Sequence, residues 1–379
     1  MTPSESFDVA VSTDWASIGS IAGELDALAR TAIEPNVFYE PWMLVPALAR
    51  TRAAPATIVS VRNPRGELCG FFPFETLSSR HGMPLRCIRL LNHDYCFLRT
   101  PLIARERAAA TLSALFDWAQ SSRSPAPLME FNGVAADGPF ADLLAGELAR
   151  RPRWACHTQR HERALFRPQA GAETGVSHKH LKELRRVERR LADLGELKYS
   201  VFEDGDDLDA WSERFLALEA SGWKGAEGTA FQSSAEDRAF FFAITRAAAA
   251  QRRLQLLSLD LNGAPIAMKC NFIAGEGSFA FKIAHDESYG RYSPGVLLEL
   301  FNMQRLQQQT AVTWMDSCAA AKHFMINRLW TDRRAIANHL LAGRGLIARA
   351  AVRYGPRLRA LRRPAANEVT QGNADADHS

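Results

Sequence analysis

The chain has 379 residues, of which 47% are hydrophobic and 23% charged, a composition typical of globular proteins. This length is enough for two domains that each bury a core. No apolar run approaches the ~20 residues that cross a bilayer, and the N-terminus lacks the basic start and apolar core of a signal peptide. A formal net charge of +4 is too small to indicate a nucleic-acid partner. We therefore expect a soluble, cytoplasmic protein that does not bind nucleic acid.

The six cysteines are scattered singly along the chain, with no CxxC pair and no dense framework. Such usage is typical of reduced thiols in the cytosol and argues against structural zinc. We expect no metal site.

The N-terminal half alternates short apolar runs with turn residues and two helical patterns. The turn Asn63-Pro-Arg-Gly separates the first two of these runs. Predicted strands lie at 58–62, 68–76, 88–91, 95–98 and 128–131, and predicted helices at 106–120 and 140–149.

The C-terminal half has clearer turn and helix-cap signals. Ser177 is a helix cap for a segment that runs to about residue 194. Asn262-Gly263 is a strong hairpin signal between two apolar runs, and Gly275-Glu-Gly separates the second run from a third. Predicted strands lie at 196–202, 254–261, 266–273, 278–284 and 312–315, with one more at the end, and predicted helices at 207–220, 235–251, 296–308 and 324–330.

The order of predicted strands and helices in the N-terminal half approximately repeats the order in the C-terminal half. The two halves share no clear sequence identity, so we predict a duplication from the order of elements alone. The expected class is α/β (α+β), with mixed sheets flanked by helices. The expected domains are a degenerate first domain at 1–165, a second domain with the working site at 166–342, and a basic helix with a disordered tail at 343–379.

The segment from Arg344 to Arg363 contains seven arginines and no acidic residue. Apolar residues are interleaved with them, and they are Leu346, Ile347, Val352, Leu358 and Leu361. A basic amphipathic segment of this kind is typical of peripheral contact with an anionic membrane surface. The alternative is a solvated terminal helix that is interrupted near Gly355-Pro356.

Four segments carry a resemblance to a known family. They are FKIAHDESYGRYSPGVLLELFNM at 281–303, WMDSCAAAKHFMINRLWTDRR at 314–334, ALEASGWKGAEGTAF at 217–231 and NHDYCFLRTPLI at 92–103. With them the chain resembles, over residues 30–342, the CelD-like GNAT N-acetyltransferases associated with polysaccharide biosynthesis. That family is related in fold to the FemAB-type peptidyltransferases. The resemblance implies tandem GNAT-like domains and an acyl-CoA co-substrate, acetyl-CoA or a longer one.

The expected phosphate site lies at the start of the helix that follows the third strand of the meander. A GNAT fold splays two neighbouring strands beside a helix N-terminus, whose backbone N–H groups and dipole hold a pyrophosphate. Here Pro suits the first turn and Gly permits close approach of the backbone. The segment departs from the usual [RQ]-x-x-G-x-[GA] pattern. The candidate CoA-binding residues are Ser293, Pro294, Gly295, Val296 and Leu297.

Lys282 is the first candidate catalytic residue, because a lysine in an apolar strand is costly unless its amine reaches water or an anion. Strand alternation predicts that Lys282 points to the face opposite Phe281 and Ile283. The resemblance implies that it faces a phosphate or a developing negative charge. The alternative is a lysine at the sheet edge whose amine reaches solvent.

Three further residues are candidate catalytic groups. Asp286 could deprotonate an acceptor amine or form a turn with its own backbone. Tyr292 could donate a proton to the leaving thiolate or pack. Asp316 ends a strand, where open α/β sheets present functional groups. Cys318 follows it, and we interpret this thiol as a small buried residue rather than a nucleophile.

The candidate acceptor-binding residues are Trp223, Lys224 and His285. An aromatic–lysine pair in a loop can form a wall of an acceptor site, although the same Trp could cover the core. His285 is a candidate because the intrinsic pKa of a histidine side chain lies near the working pH range. It lies next to Asp286 in the sequence.

The leading functional hypothesis is an N-acyltransferase that moves an acyl group from acyl-CoA to an amine of a sugar or of a polysaccharide or cell-envelope precursor. The first alternative is a FemAB-type aminoacyl transferase that takes its donor from charged tRNA. The second is a non-catalytic binding module in exopolysaccharide assembly, because the phosphate loop is irregular.

Overall fold

A computed structural model describes residues 6–50, 55–80, 83–152, 154–168, 176–222, 231–309 and 311–362. The chain divides into two compact units. Within the described residues, unit 1 lies in 6–162 and 334–362, and unit 2 lies in 163–333. Among the described residues, no helix is both long enough and apolar enough to span a bilayer.

Unit 1 is built on a mixed sheet in the order β1-β2-β3-β4-β6-β13, with β5 paired to β3. The neighbours are antiparallel except β4 and β6, which are parallel. Its core is rich in phenylalanine, including Phe71, Phe72, Phe74, Phe131 and Phe140. The strands are β1 Asp8–Ser12, β2 Ala56–Arg62, β3 Leu68–Leu77, β4 Cys87–Leu90, β5 Leu102–Ile103, β6 Leu128–Ala135 and β13 Asp332–Ala342. The helices are α1 Ser17–Ser20, α2 Ala22–Thr31, α3 Pro41–Arg50, α4 Ala108–Gln120, α5 Pro139–Ala149 and α11 Leu346–Arg362.

Unit 2 has a sheet in the order β7-β12-β11-β10-β9-β8, in which only the pair β11 and β12 is parallel. Its core is centred on buried residues of the sheet and of helix α9, such as Leu257 and Met303, together with Trp330, which follows α10. The strands are β7 Ala155–Phe166, whose last residues belong to this unit, β8 Leu197–Val201, β9 Leu254–Leu261, β10 Ala264–Ala274, β11 Gly277–His285 and β12 Trp314–Asp316. The helices are α6 His178–Ala192, α7 Leu208–Ser221, α8 Ala235–Ala250, α9 Pro294–Gln308 and α10 Ile326–Leu329.

Local signals position these elements. Asn262 and Gly263 both have positive φ, 52° and 80°, as a tight turn between β9 and β10 requires. Ser177 caps α6, because its hydroxyl accepts from the backbone N–H of His180. Asp207 and Ser234 cap α7 and α8 in the same way.

Two predicted elements are wrong. Residues 95–98 form no strand, because Cys96 closes a turn onto the His93 carbonyl and the Asn36 amide donates to the carbonyls of Leu98 and Thr100. A side chain thus satisfies backbone groups that a neighbouring strand would otherwise pair. The predicted helix at 324–330 is only the single turn α10.

The C-terminal elements also differ from the sequence expectation. Strand β13 pairs with β6 of unit 1, so the unit 2 boundary falls at Arg333 and not at 342. Helix α11 continues through Gly355-Pro356 without the predicted interruption. The predicted disordered tail after 363 lies outside the described residues.

Candidate active site

The strands β11 and β12 separate after a short paired stretch. They pair only where Gly277, Ser278 and Phe279 face Trp314, Met315 and Asp316. Beyond that point β12 ends and β11 continues to His285, with no strand paired on this side of 280–285 among the described residues. This unit 2 sheet therefore contains an open wedge between two parallel strands, which we call the splay.

A tight turn after Asp316 makes β12 end there. One carboxylate oxygen of Asp316 accepts the Cys318 N–H at 2.9 Å, and Cys318 has a φ of +54°. Positive φ is uncommon for a residue other than glycine. The second oxygen of Asp316 lies 2.7 Å from the Arg163 guanidinium, and both side chains are buried. These contacts hold the turn at the splay, and Asp316 itself does not line the pocket there.

Strand β11 has a bulge at the splay. Cys270 faces Lys282 and Asn271 faces Ala280, so Phe281 is one residue more than the partner strand can pair. The Phe281 ring lies 6.2 Å from the Phe231 ring, and the Lys282 ammonium lies 4.1 Å above the same ring. Phe281 and Lys282 therefore lie on one face. The alternation prediction for this pair is wrong, because a bulge resets the two-residue period.

The Lys282 ammonium forms a buried ion pair. It donates to Glu219 of α7 at 2.8 Å, with 6% of the lysine and 1% of the glutamate side chain exposed. The other oxygen of Glu219 accepts the Phe231 N–H at 2.9 Å. Burial makes the two charges interdependent, because an isolated buried charge is strongly unfavourable. The alternative of a lysine whose amine reaches solvent at the sheet edge is wrong, because the Lys282 side chain is buried.

A second buried ion pair lies on the α9 face of the same strands. The Lys269 ammonium of β10 is 2.6 Å from Glu299 of α9. The Asn302 amide also donates to Glu299, at 2.9 Å. Both lysines and Glu299 line one pocket.

That pocket lies in the splay and has a volume of about 50 Å³, enough for a few water molecules. Its charged side chains come from β10, β11 and α9, and its other lining residues come from β11 and from the segment 317–326, which ends at the first residue of α10. The lining residues are Lys269, Ala280, Phe281, Lys282, Ile283, Glu299, Ser317, Ala319, His323, Met325 and Ile326.

The start of α9 follows the end of β11. Ser293 has left-handed backbone geometry (φ 50°, ψ 53°) and its side chain makes no capping hydrogen bond. Pro294 occupies the first turn, and Val296 and Leu297 donate to the Ser293 carbonyl. A Cβ at Gly295 would lie 3.6 Å from Ile283 and 3.8 Å from the His285 ring. The fold thus brings Gly295 and His285 together, at the open end of β11.

Tyr292 is buried beside this helix start, between two arginines. The Arg291 guanidinium lies 4.8 Å and the Arg190 guanidinium of α6 5.9 Å from its ring centroid. Asp286 accepts from both the backbone N–H and the hydroxyl of Ser288, at 2.9 and 2.7 Å. These contacts are those expected of an aspartate that forms a turn with its own backbone. The role of Asp286 as a base stays a prediction.

Trp223 and Lys224 lie outside the described residues. Sequence reasoning missed Glu219, Lys269 and Glu299. The signal used for Lys282, a lysine in an apolar strand, also applies to Lys269. Glu219 and Glu299 are acids within apolar helix faces, and Glu219 lies in one of the segments that carry the resemblance. Among the described residues, no group of three or more His, Cys, Asp or Glu is placed to hold a metal ion.

The chain was compared with known families and solved structures. Residues 178–325, less than half of the chain, match the family described as "Acetyltransferase (GNAT) domain". No curated protein matches the sequence. FemX is similar in structure, with a TM-score of 0.55 and 11% identity over 85% of this chain and 96% of that one.

Two further solved structures are similar. A conserved protein of unknown function from Bacteroides thetaiotaomicron VPI-5482 gives a TM-score of 0.56 and 12% identity over 88% of this chain and all of that one. L-PGS from Bacillus licheniformis gives a TM-score of 0.51 and 10% identity over 89% of this chain and 96% of that one. At such identities the likeness shows the fold alone. The predicted fold class is confirmed: the chain has a mixed α/β, GNAT-like fold, and its residues 178–325 match the acetyltransferase domain of that family.

Proposed function

We propose that unit 2 is an acyl-CoA-dependent N-acyltransferase whose acceptor is an amine of a sugar or of a polysaccharide or cell-envelope precursor. The pantetheine arm would enter the splay, and the pyrophosphate would lie at Ser293, Pro294, Gly295, Val296 and Leu297. The acceptor class rests on the resemblance of the sequence to polysaccharide-associated acetyltransferases.

The observation that carries the proposal is the splay together with the start of α9. The edge of β11 at 280–285 has no strand partner on one side among the described residues, so an extended amide-containing chain can pair with its backbone there. In the first turn of α9, Pro294 has no N–H, and the N–H groups of Val296 and Leu297 donate to the Ser293 carbonyl. This turn would hold an anion through the Gly295 N–H and the positive end of the helix dipole. An elongated molecule with amides at one end and phosphates at the other matches both features.

Lys282 is the group that we assign to charge stabilisation. Its ammonium lines the pocket of the splay and is bonded to Glu219 at 2.8 Å. When an amine attacks the thioester carbon, negative charge develops on the carbonyl oxygen until the C–S bond breaks. A fixed donor at that oxygen lowers the barrier. The buried carboxylate of Glu219 holds the donor in place, so we assign Glu219 as a positioning residue.

Two proton transfers complete the reaction. The attacking amine must lose a proton, and the departing thiolate must gain one. Asp286 is our candidate for the first transfer, Tyr292 for the second, and His285 lies next to Asp286 at the open end of β11. Asp316 acts in this proposal by holding the turn that ends β12, through Arg163 and the Cys318 N–H.

The test is ligand-dependent stabilisation, measured as a melting shift with acetyl-CoA, longer acyl-CoAs and free CoA. A ligand at 100 times its Kd adds about 2.7 kcal/mol of stability. Gly295→Val should abolish most of the shift, because its methyl groups would occupy the space between the helix start, Ile283 and His285. Gly290→Val is the matched control, since a Cβ at Gly290 meets nothing within 4 Å. Equal CoA binding by both variants would place the phosphates elsewhere.

The melting shift, combined with label transfer from charged tRNA and thiol release from acyl-CoA, separates the two alternatives. A FemAB-type aminoacyl transferase would transfer label from charged tRNA to an acceptor and show no shift with CoA. A non-catalytic module would show a shift with an acceptor saccharide but release no thiol from acyl-CoA. Thiol release with an amine-bearing saccharide would contradict both alternatives.

A further inference from the structure

One side of helix α11 carries an exposed apolar strip. Leu346 is 80% exposed and Ile347 is 71% exposed, although both are large aliphatic residues. Ala350 and Tyr354 are also exposed, and they follow Leu346 at successive four-residue spacings. Ile347 lies beside this row, because the adjacent residue of a helix is turned by about 100°. Leu346, Ile347, Ala350 and Tyr354 therefore form one continuous strip, which we call the α11 strip.

The opposite side of α11 is attached to unit 1. Ala348 and Val352 are buried, and they pack in a cluster with Cys87, Leu128 and Leu340. This packing fixes the rotation of the helix about its axis. The α11 strip is thus turned away from the core of unit 1 by the fold itself.

The charge beside the α11 strip is uniformly positive. Arg344, Arg349 and Arg353 are exposed, and none of the three forms an ion pair with a residue that the structure describes. The guanidinium groups of Arg349 and Arg353 lie over the rings of Trp154 and Tyr354, at 5.4 and 5.3 Å. No acidic residue occurs anywhere from 344 to 363. Among the described residues, these arginines have no acidic partner, and they lie next to the solvent-exposed apolar side chains of the α11 strip.

We propose that α11 binds the surface of an anionic lipid bilayer. The α11 strip would lie at the boundary between headgroups and acyl chains, and the flanking arginines would contact lipid phosphates. This arrangement is that of interfacial amphipathic helices, which combine an apolar face with Lys and Arg on the polar side. The lipid surface fits better than a protein partner because the uncompensated positive charge is complementary to an extended anionic plane. The inference does not depend on the proposed acyltransferase activity.

The experiment is co-sedimentation of the full chain with phosphatidylcholine vesicles and with vesicles that also contain phosphatidylglycerol, at about 0.1 M salt, where the Debye length is about 10 Å. We expect binding to the anionic vesicles only, weakened by added salt. Arg349→Gln/Arg353→Gln should bind roughly 30-fold more weakly, since each arginine near the surface contributes about 1 kcal/mol. Arg349→Lys/Arg353→Lys keeps the charge and should bind nearly as the wild type does.

The apolar contribution is tested with Leu346→Gln/Ile347→Gln, which should lose roughly tenfold or more in vesicle affinity because two aliphatic side chains no longer leave water. Leu194→Gln, at another exposed leucine, is the control and should bind as the wild type. All substituted side chains are exposed, so melting temperatures should stay unchanged. Equal binding to neutral and anionic vesicles, or wild-type binding by the Leu346/Ile347 variant, would overturn the proposal. So would a wild-type dimer in ultracentrifugation that this variant abolishes, because the strip would then cover a second copy.

Discussion

The Lys282–Glu219 pair allows a test that separates stability from catalysis. Lys282→Met alone keeps the apolar stem but leaves the Glu219 carboxylate, 1% exposed, without the ammonium that faces it at 2.8 Å. Removing one partner of a buried ion pair costs about 3–5 kcal/mol of unfolding free energy. Both side chains are almost completely shielded from water, so solvent screening does not reduce this value. A loss of activity in the single variant would therefore mix two effects.

The double variant Lys282→Met/Glu219→Gln removes the ambiguity. Replacement of both charged partners by neutral groups of similar size is often nearly neutral, and the amide oxygen of the substituted glutamine can still accept the Phe231 N–H. We expect urea unfolding to show most of the lost stability restored. If Lys282 stabilises the developing oxyanion, turnover should stay about two orders of magnitude low in both variants, equivalent to ~3 kcal/mol of barrier.

The assay is thiol release from acyl-CoA with an identified acceptor, at temperatures where each variant is folded. Arg334→Met/Glu34→Gln is the matched control, because this pair is buried in unit 1 and does not line the pocket. This control should change the free energy of unfolding about as little as the Lys282/Glu219 double variant does, and it should leave turnover unchanged. Wild-type turnover in the Lys282/Glu219 double variant would refute the catalytic role of Lys282. Failure of the double variant to regain stability would refute the coupling of the two charges.

Two further outcomes are expected from the structure. Burial lowers the pKa of His93 to about 4, whereas the pKa of histidine in the unfolded chain is about 6.5. As the pH falls, the unfolded chain therefore binds the extra proton first. The free energy of unfolding should decrease by up to about 1.4 kcal/mol per pH unit as pH drops from 6.5 towards 4. His93→Gln should have a shallower slope in unfolding experiments over that window, and an identical slope would contradict the assignment. A Cβ at Gly277 would lie 2.2 Å from the Trp314 ring, so Gly277→Ala should displace β12, lower the melting temperature and weaken CoA binding together. Normal melting and CoA affinity in Gly277→Ala would show that this β11–β12 contact does not set the splay.

Much of unit 2 was predictable because its signals are local. The Asn262-Gly263 turn has the positive φ angles that its sequence predicts, and Ser177 caps α6 through its own hydroxyl. The predicted bounds 254–261 for β9 match the structure. Those for α7 differ by one residue at each end, and those for α8 by one residue at the C-terminal end. Unit 1 was less predictable. Residues 95–98 have strand-like composition, but the Asn36 side chain, about sixty residues away in the sequence, satisfies the Leu98 carbonyl.

The sequence by itself determined where chain turns, caps and apolar periods lie, because these depend on neighbours within a few residues. Only the tertiary structure decided what surrounds Lys282. The bulge at Phe281 depends on the register between β10 and β11, and the partner Glu219 lies 63 residues away in the chain. The same reason explains β13, whose apolar pattern predicts a strand but not that the strand pairs with β6 of unit 1. A two-residue period shows which residues share a face, whereas the pairing partner is selected by packing between distant segments.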